Sequence, residues 1–218
     1  MTGAPDDDGA IRTPRLLLLP CRPPVAQAIV AGAEALEALL GVRPAADWPG
    51  PNFSAYLPLL LANPARGRWN WLVIHPEDRL IVGDSGFHGP PDTAGVVELG
   101  YIFAAAYRGR GYATESARAL LDWACVQPEV HGVVANCAPD NQQSIRVLEK
   151  LGLRCAGIVN GELHWTLDCK RGAAAPMSDA GSMLISSRCK LPASSGSPVH
   201  FSGPWSPAGS GDEWPQAT

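Results

Sequence analysis

ELGYIFAAAYRGRGYATESARALLDWA, residues 98–124, reads as a strand, a tight glycine loop and a helix. From Val96 to Phe103 the side chains alternate. Val97, Leu99, Tyr101 and Phe103 fall on one face, and Val96, Glu98, Gly100 and Ile102 on the other. From Thr114 to Cys125 the period becomes helical, with Ala117, Leu120, Leu121 and Ala124 as the apolar stripe. Between them lies Arg108-Gly109-Arg110-Gly111-Tyr112-Ala113. A helix N-terminus leaves its first N–H groups unpaired and carries partial positive charge. A pyrophosphate seated there receives several charge-assisted hydrogen bonds, each worth about 1.5–3 kcal/mol. Gly109 and Gly111 allow a sharp turn and a close approach to the anion, and Arg108 and Arg110 add charge. A bare GxG is also an ordinary strand-to-helix turn. The loop has neither a Walker GK[ST] nor the third glycine of GxGxxG.

Outward from this segment, RLLLLP from Arg15 predicts a short buried strand stopped by Pro20. Val25 to Leu40 predicts one helix, with Ile29, Ala33, Leu36 and Leu40 at helical spacing. The Pro-rich stretch Pro44 to Phe53 reads as a loop, and Ser54 to Leu61 as a second short helix. Trp69–His75 and Leu80–Phe87 read as strands joined by a turn at Pro76–Arg79. Beyond the central segment come a strand at Gly132–Cys137 and a helix from Asn141 to Gly152, where glycine suits a left-handed cap. Two last strands flank Asn160-Gly161, a favoured tight hairpin turn. This is a mixed α/β order ending in a β-hairpin.

The 218 residues suit one domain with appendages. Residues 1–10 read as a disordered acidic tail and 11–171 as the domain. Residues 172–218 are dominated by Ser, Gly, Pro and Ala and read as a second disordered tail, because nothing there offsets the chain entropy. A net charge of -4 argues against a nucleic-acid partner. Six cysteines without CxxC or metal-type spacing predict free thiols and no metal site. The acidic start and the shortness of the run Leu16–Leu19 predict a soluble, cytoplasmic protein without a membrane partner.

The loop also carries a resemblance. Arg108, Gly111 and Ala113 fill the pattern [Q/R]xxGx[G/A], and the run resembles the acetyl-CoA loop of the GNAT N-acetyltransferase superfamily. A second block, Asn141 to Gly152, resembles the NxxSxxVLEKLG motif of the RimJ/RimL-type branch, the ribosomal-protein-alanine acetyltransferase relatives. The resemblance covers roughly Arg15 to Lys170. It implies a central mixed, mostly antiparallel sheet flanked by helices. It also implies direct transfer of acetyl from acetyl-CoA to a primary amine, on a protein N-terminus or a small molecule, with no metal. A homodimer is compatible with it.

The site residues follow from the same resemblance. Arg108, Gly109, Arg110, Gly111, Tyr112, Ala113 and Thr114 would hold the pyrophosphate. Backbone groups at Ile102 and Phe103 would pair with the pantetheine amides, and Asn141 would contact the cofactor near that arm. Asn141 is equally an ordinary N-cap. Glu98 is the carboxylate placed to assist deprotonation of the amine, and a salt-bridged strand glutamate is the plain alternative. Ser144 is expected near the thioester sulfur, or else as a solvent-facing first-turn residue. Many members have Tyr seven residues after the asparagine as general acid, where this chain has Leu148. That departure keeps a second reading open, a catalytically weak acyl-CoA-binding sensor or regulatory module. Trp48, Tyr56, Trp69 and Trp71 are more ordinary as core, with Trp48 the best candidate for an acceptor pocket. His88 reads as a surface histidine or a base, and Cys137 as a buried thiol.

Overall fold

The computed structural model describes residues 9–169. The readings made for residues 1–8 and 170–218 lie outside the described residues. The strands are β1 (Ile11–Arg12), β2 (Leu17–Pro20), β3 (Arg43–Pro44), β4 (Asn70–His75), β5 (Leu80–Phe87), β6 (Val96–Phe103), β7 (Gly132–Cys137), β8 (Arg154–Val159) and β9 (Glu162–Asp168). The helices are α1 (Pro23–Ala31), α2 (Ala33–Leu40), α3 (Pro51–Ala62), α4 (Tyr112–Cys125) and α5 (Gln142–Leu151). The strands form one sheet in the order β1-β2-β4-β5-β6-β7-β9-β8, with β3 beside β5. Neighbours are antiparallel except for the β6–β7 and β3–β5 pairs. This is the mixed, mostly antiparallel sheet flanked by helices that the family resemblance implies.

Each face of the sheet has its own core. Val97, Leu99 and Phe103 of β6 pack with Ala117, Leu120 and Leu121 of α4 and Leu148 and Leu151 of α5. On the other face, Val25 and Ile29 of α1, Leu36 of α2 and Phe53 and Leu60 of α3 pack with Leu72 and Ile81. The alternation read along β6 therefore decides which residues meet α4.

Several boundaries differ from expectation, each for a local reason. The helix expected over Val25–Leu40 is two helices, broken at Gly32, whose φ of 109° lies outside any helical value. Helix α3 begins at Pro51 instead of Ser54, because proline in the first turn lacks only an N–H that would be unpaired anyway. Helix α4 begins at Tyr112, two residues early, directly after Gly111. The two-residue strand β1 pairs Ile11 with Leu18 and was not foreseen. Asn141 caps α5 with its side chain and Gly152 closes it with φ 86°, as expected. Asn160 and Gly161 take φ 53° and 84° in the final hairpin, also as expected.

The cysteine reading needs correction. Cys125, ending α4, and Cys169, just past β9, form a disulfide with their Cα atoms 5.0 Å apart. They are 44 residues apart, so no motif spacing announces them. Cys21 and Cys137 are free and buried. Among the described residues, no helix is long and apolar enough to cross a membrane, and no group of three His, Cys, Asp or Glu side chains could hold a metal ion.

Candidate active site

The parallel pairing of β6 with β7 runs only from Val96–Gly132 to Glu98–Val134. Beyond Glu98 the strands part. The gap holds a small cavity of about 30 Å³, lined by Leu99, Gly100 and Tyr101 of β6, Ala135 and Asn136 of β7, and Ser144 and Leu148 of α5. The two sequence blocks that anticipate a site thus meet at one gap in the sheet.

The glycine loop lies beyond the far end of β6. Gly109 and Gly111 have φ 73° and 85°, values that L side chains rarely adopt. Gly111 precedes the first residue of α4, and no side chain caps that helix. The start of α4 therefore presents backbone N–H groups and positive dipole without a protein acceptor built in. Arg108 and Arg110 are exposed. Arg108 Nε donates to the Phe103 carbonyl at 2.8 Å, and the Arg110 guanidinium carbon sits 5.4 Å from the Tyr107 ring centre.

A strap that no local pattern announces holds this loop. The Glu115 carboxylate, in the first turn of α4, accepts from Thr13 Oγ1 at 2.6 Å and from the Arg15 backbone N–H at 2.9 Å. It also pairs with Arg15 Nη2 at 2.6 Å. Arg15 Nη1 donates to the Arg110 carbonyl at 3.0 Å, and the guanidinium lies 4.5 Å from the Tyr112 ring centre. Below it, the Tyr112 hydroxyl meets His75 Nε2 at 3.0 Å.

At the closed end of the gap is a polar cluster. Asn136 Nδ2 donates to Glu98 Oε1 at 2.8 Å, and His88 Nδ1 meets Glu98 Oε2 at 3.1 Å. Asn136 Oδ1 in turn meets His164 Nδ1 at 2.8 Å. Side chains from β6, β7 and β9, with His88 just past β5, thus converge on one carboxylate. Burial alone would raise the Glu98 carboxyl, but the His88 hydrogen bond and charge, the Asn136 hydrogen bond and the His164 charge hold it below its usual value. Burial and the Glu98 charge raise neighbouring Glu162.

His88 is therefore not the surface histidine expected: its side chain is 24% exposed and paired to Glu98. Asn136 and His164 were missed, although a polar residue inside the apolar run GVVANC and a histidine in ELHW are the signals they left. Trp48 is not a pocket residue. It is 4% exposed, like its fellow core residues Tyr56, Trp69 and Trp71, and its Nε1 donates to Asp84 Oδ1 at 2.8 Å. The Pro-rich loop that made Trp48 the best pocket candidate folds back over β5 and buries the ring. Asp84 is a buried carboxyl pushed up to about 7 by burial, against the lowering effect of the Trp48 hydrogen bond. Asn141 spends its side-chain oxygen on the Ser144 N–H at 3.0 Å. Ile102 lies opposite Asp84, and Phe103 opposite Gly83, in the β5–β6 pairing.

Comparison with known proteins agrees with this geometry. Residues 33–154 match the acetyltransferase (GNAT) domain family. The chain is 34% identical over 118 residues to the uncharacterized N-acetyltransferase YjdG of Bacillus subtilis, covering 52% of this chain and 70% of that one. An acetyltransferase (GNAT family) structure from Bacillus anthracis superposes with a TM-score of 0.53 at 23% identity, over 74% of this chain and 99% of that one. The ribosomal-protein-S5-alanine acetyltransferase of Vibrio fischeri gives a TM-score of 0.53 at 17% identity, over 73% and 96% of the two chains. The self-immunity acetyltransferase MccE, solved with acetyl-CoA and AMP, gives 0.51 at 16% identity, over 72% and 93%. At these identities the structures establish the fold.

Proposed function

We propose, since this chain belongs to the acetyltransferase (GNAT) domain family, that it moves acetyl from acetyl-CoA to a primary amine by direct attack in a ternary complex. The observation that carries this reading is the gap between β6 and β7, with Glu98 at its closed end and the uncapped start of α4 beyond its open end. The pyrophosphate would sit on the loop from Arg108 to Thr114, with the pantetheine arm along Ile102 and Phe103 and beside Asn141. The neighbour MccE binds acetyl-CoA, which supports this cosubstrate. Residues 11–171 are then the catalytic domain.

The amine must lose a proton before it attacks. An α-amine of pKa about 7.8 is roughly 15% neutral at pH 7, whereas a lysine amine near 10.4 is under about 0.1% neutral. Glu98 is an ionised acceptor fixed by two hydrogen bonds, so it attracts the ammonium and receives its proton directly or through water. Its lowered pKa makes it a modest base, which favours an α-amine or another weakly basic acceptor. Ser144, in the cavity, would lie near the thioester sulfur.

The RimJ/RimL-like block from Asn141 to Gly152 and the Vibrio fischeri neighbour point to peptide N-termini as the first acceptors to test. A thiol-release assay with acetyl-CoA against α-amine peptides, lysine peptides and aminoglycosides decides between them. Turnover is expected first with α-amines. Tight acetyl-CoA binding without turnover on any amine would favour a sensor module.

A further inference from the structure

The cavity between β6, β7 and α5 holds two hydroxyl side chains, and the reading above uses only that of Ser144. The other belongs to Tyr101. It stands on the β6 face that meets α4 and α5, and its ring packs against that core. Its hydroxyl oxygen is buried beside the Ser144 side chain, but the two hydroxyls do not reach standard hydrogen-bond geometry. A buried phenol without a fixed partner forgoes interaction energy, unless a ligand supplies the partner. Across the cavity α5 presents Ser144 and, one turn on, the apolar Leu148.

We propose that Tyr101 is a catalytic residue whose hydroxyl donates a hydrogen bond to the sulfur of the acetyl donor as that sulfur becomes a thiolate. The proposal rests on the reading that acetyl-CoA occupies this gap. In the step, the amine lone pair forms the bond to the acetyl carbon. The carbon–sulfur bond breaks, and its electron pair goes to sulfur. The nitrogen loses its proton to Glu98 or to water. Tyr101 keeps its own proton and shares it with the thiolate.

Two features suit a donor that is not consumed. Burial pushes the phenol up to about 12, with the adjacent Ser144 side chain pulling down and Cys137 pushing up, so the hydroxyl stays protonated. The strand also fixes the ring: Tyr101 pairs with Ser85 across β5, so the donor sits on a sheet rather than a loop.

The test compares wild type with Tyr101→Phe, which keeps the ring and its packing. First, acetyl-CoA and CoA affinities are measured by calorimetry, and both proteins are expected to agree within about twofold. Second, kcat is expected to fall about 10- to 100-fold in the variant, the loss of one hydrogen bond to a charged group. Third, the thiol of bound CoA is titrated by its ultraviolet thiolate absorbance. A donor at sulfur stabilises the thiolate, so this titration should move to higher pH in Tyr101→Phe, a shift that a structural role would not produce. Unchanged kcat and an unchanged titration, with normal CoA binding, would overturn the proposal. Failure of wild type to bind CoA would overturn it together with the reading beneath it, and wild-type calorimetry alone tells the two failures apart.

Discussion

At the scale of single residues, the two informative carboxyls behave in opposite ways. Glu98 is surrounded by donors and stays ionised, whereas Asp84 has one donor, Trp48, and is otherwise desolvated. If Glu98 assists deprotonation, Glu98→Gln should lower kcat/KM by about 10²–10⁴. The loss should be largest at low pH and shrink as pH approaches the pKa of the amine, where solvent suffices. A pH–rate profile parallel to wild type would remove Glu98 as the base. Asp84 predicts a pH effect on stability. Its proton is held more tightly folded, at about 7, than in the unfolded chain, near 3.8. The folded state therefore binds more protons between those values, and stability falls as pH rises through that window and levels off above it. Asp84→Asn keeps an acceptor for Trp48 and removes the titration. The Tm of wild type should drop between pH 5 and pH 8 while that of Asp84→Asn stays nearly level.

At the scale of elements, the loop between β6 and α4 gathers three devices. Glycines hold two positive φ values, the helix start is left uncapped, and Arg15 with Glu115 ties β1–β2 to the first turn. Glu115 would ordinarily be read as complementing the helix dipole. Here it is occupied by Thr13 and Arg15, so it serves to fix the loop. Gly111→Asp should weaken acetyl-CoA binding at least 10-fold by calorimetry. It places a β-carbon at φ 85°, where the left-handed region costs about 1–2 kcal/mol, and sets a negative charge at the proposed anion site. Unchanged affinity would displace the phosphate from this loop.

At the scale of the whole molecule, the sheet joins an N-terminal half, β1 to β6, to a C-terminal half, β7 to β9, through only three parallel residue pairs. That weak seam is what creates the gap. The Cys125–Cys169 disulfide ties the end of α4 to the end of β9, beside the paired end of that seam, where Asp168 lies opposite Gly132. Closing a 44-residue separation removes unfolded-chain entropy worth about 2–4 kcal/mol. Peptide mapping without reductant should recover the Cys125–Cys169 pair. Cys125→Ser should lower the Tm. A thiol count with both cysteines free would refute the pairing.

Much of this protein is written locally in its sequence. The β6–loop–α4 unit, the caps of α5 at Asn141 and Gly152 and the hairpin turn at Asn160-Gly161 were all legible. They depend on side-chain period and on which residues tolerate positive φ, properties of neighbours in the chain. The glycine break at Gly32 was equally local, but the continuous apolar spacing from Val25 to Leu40 masked it. The surroundings of Glu98 were not legible. Period places Glu98 on a face, but the partners it meets there depend on the β6–β7 register and on the pairing of β7 with β9, which sets Asn136 opposite His164. The strap from Arg15 to Glu115 and the Cys125–Cys169 bond likewise join residues far apart in sequence. The sequence alone determined the elements and the faces they present, because those are short-range properties of the chain. Only the tertiary structure decided which polar groups meet, because that follows from strand order and register over many residues.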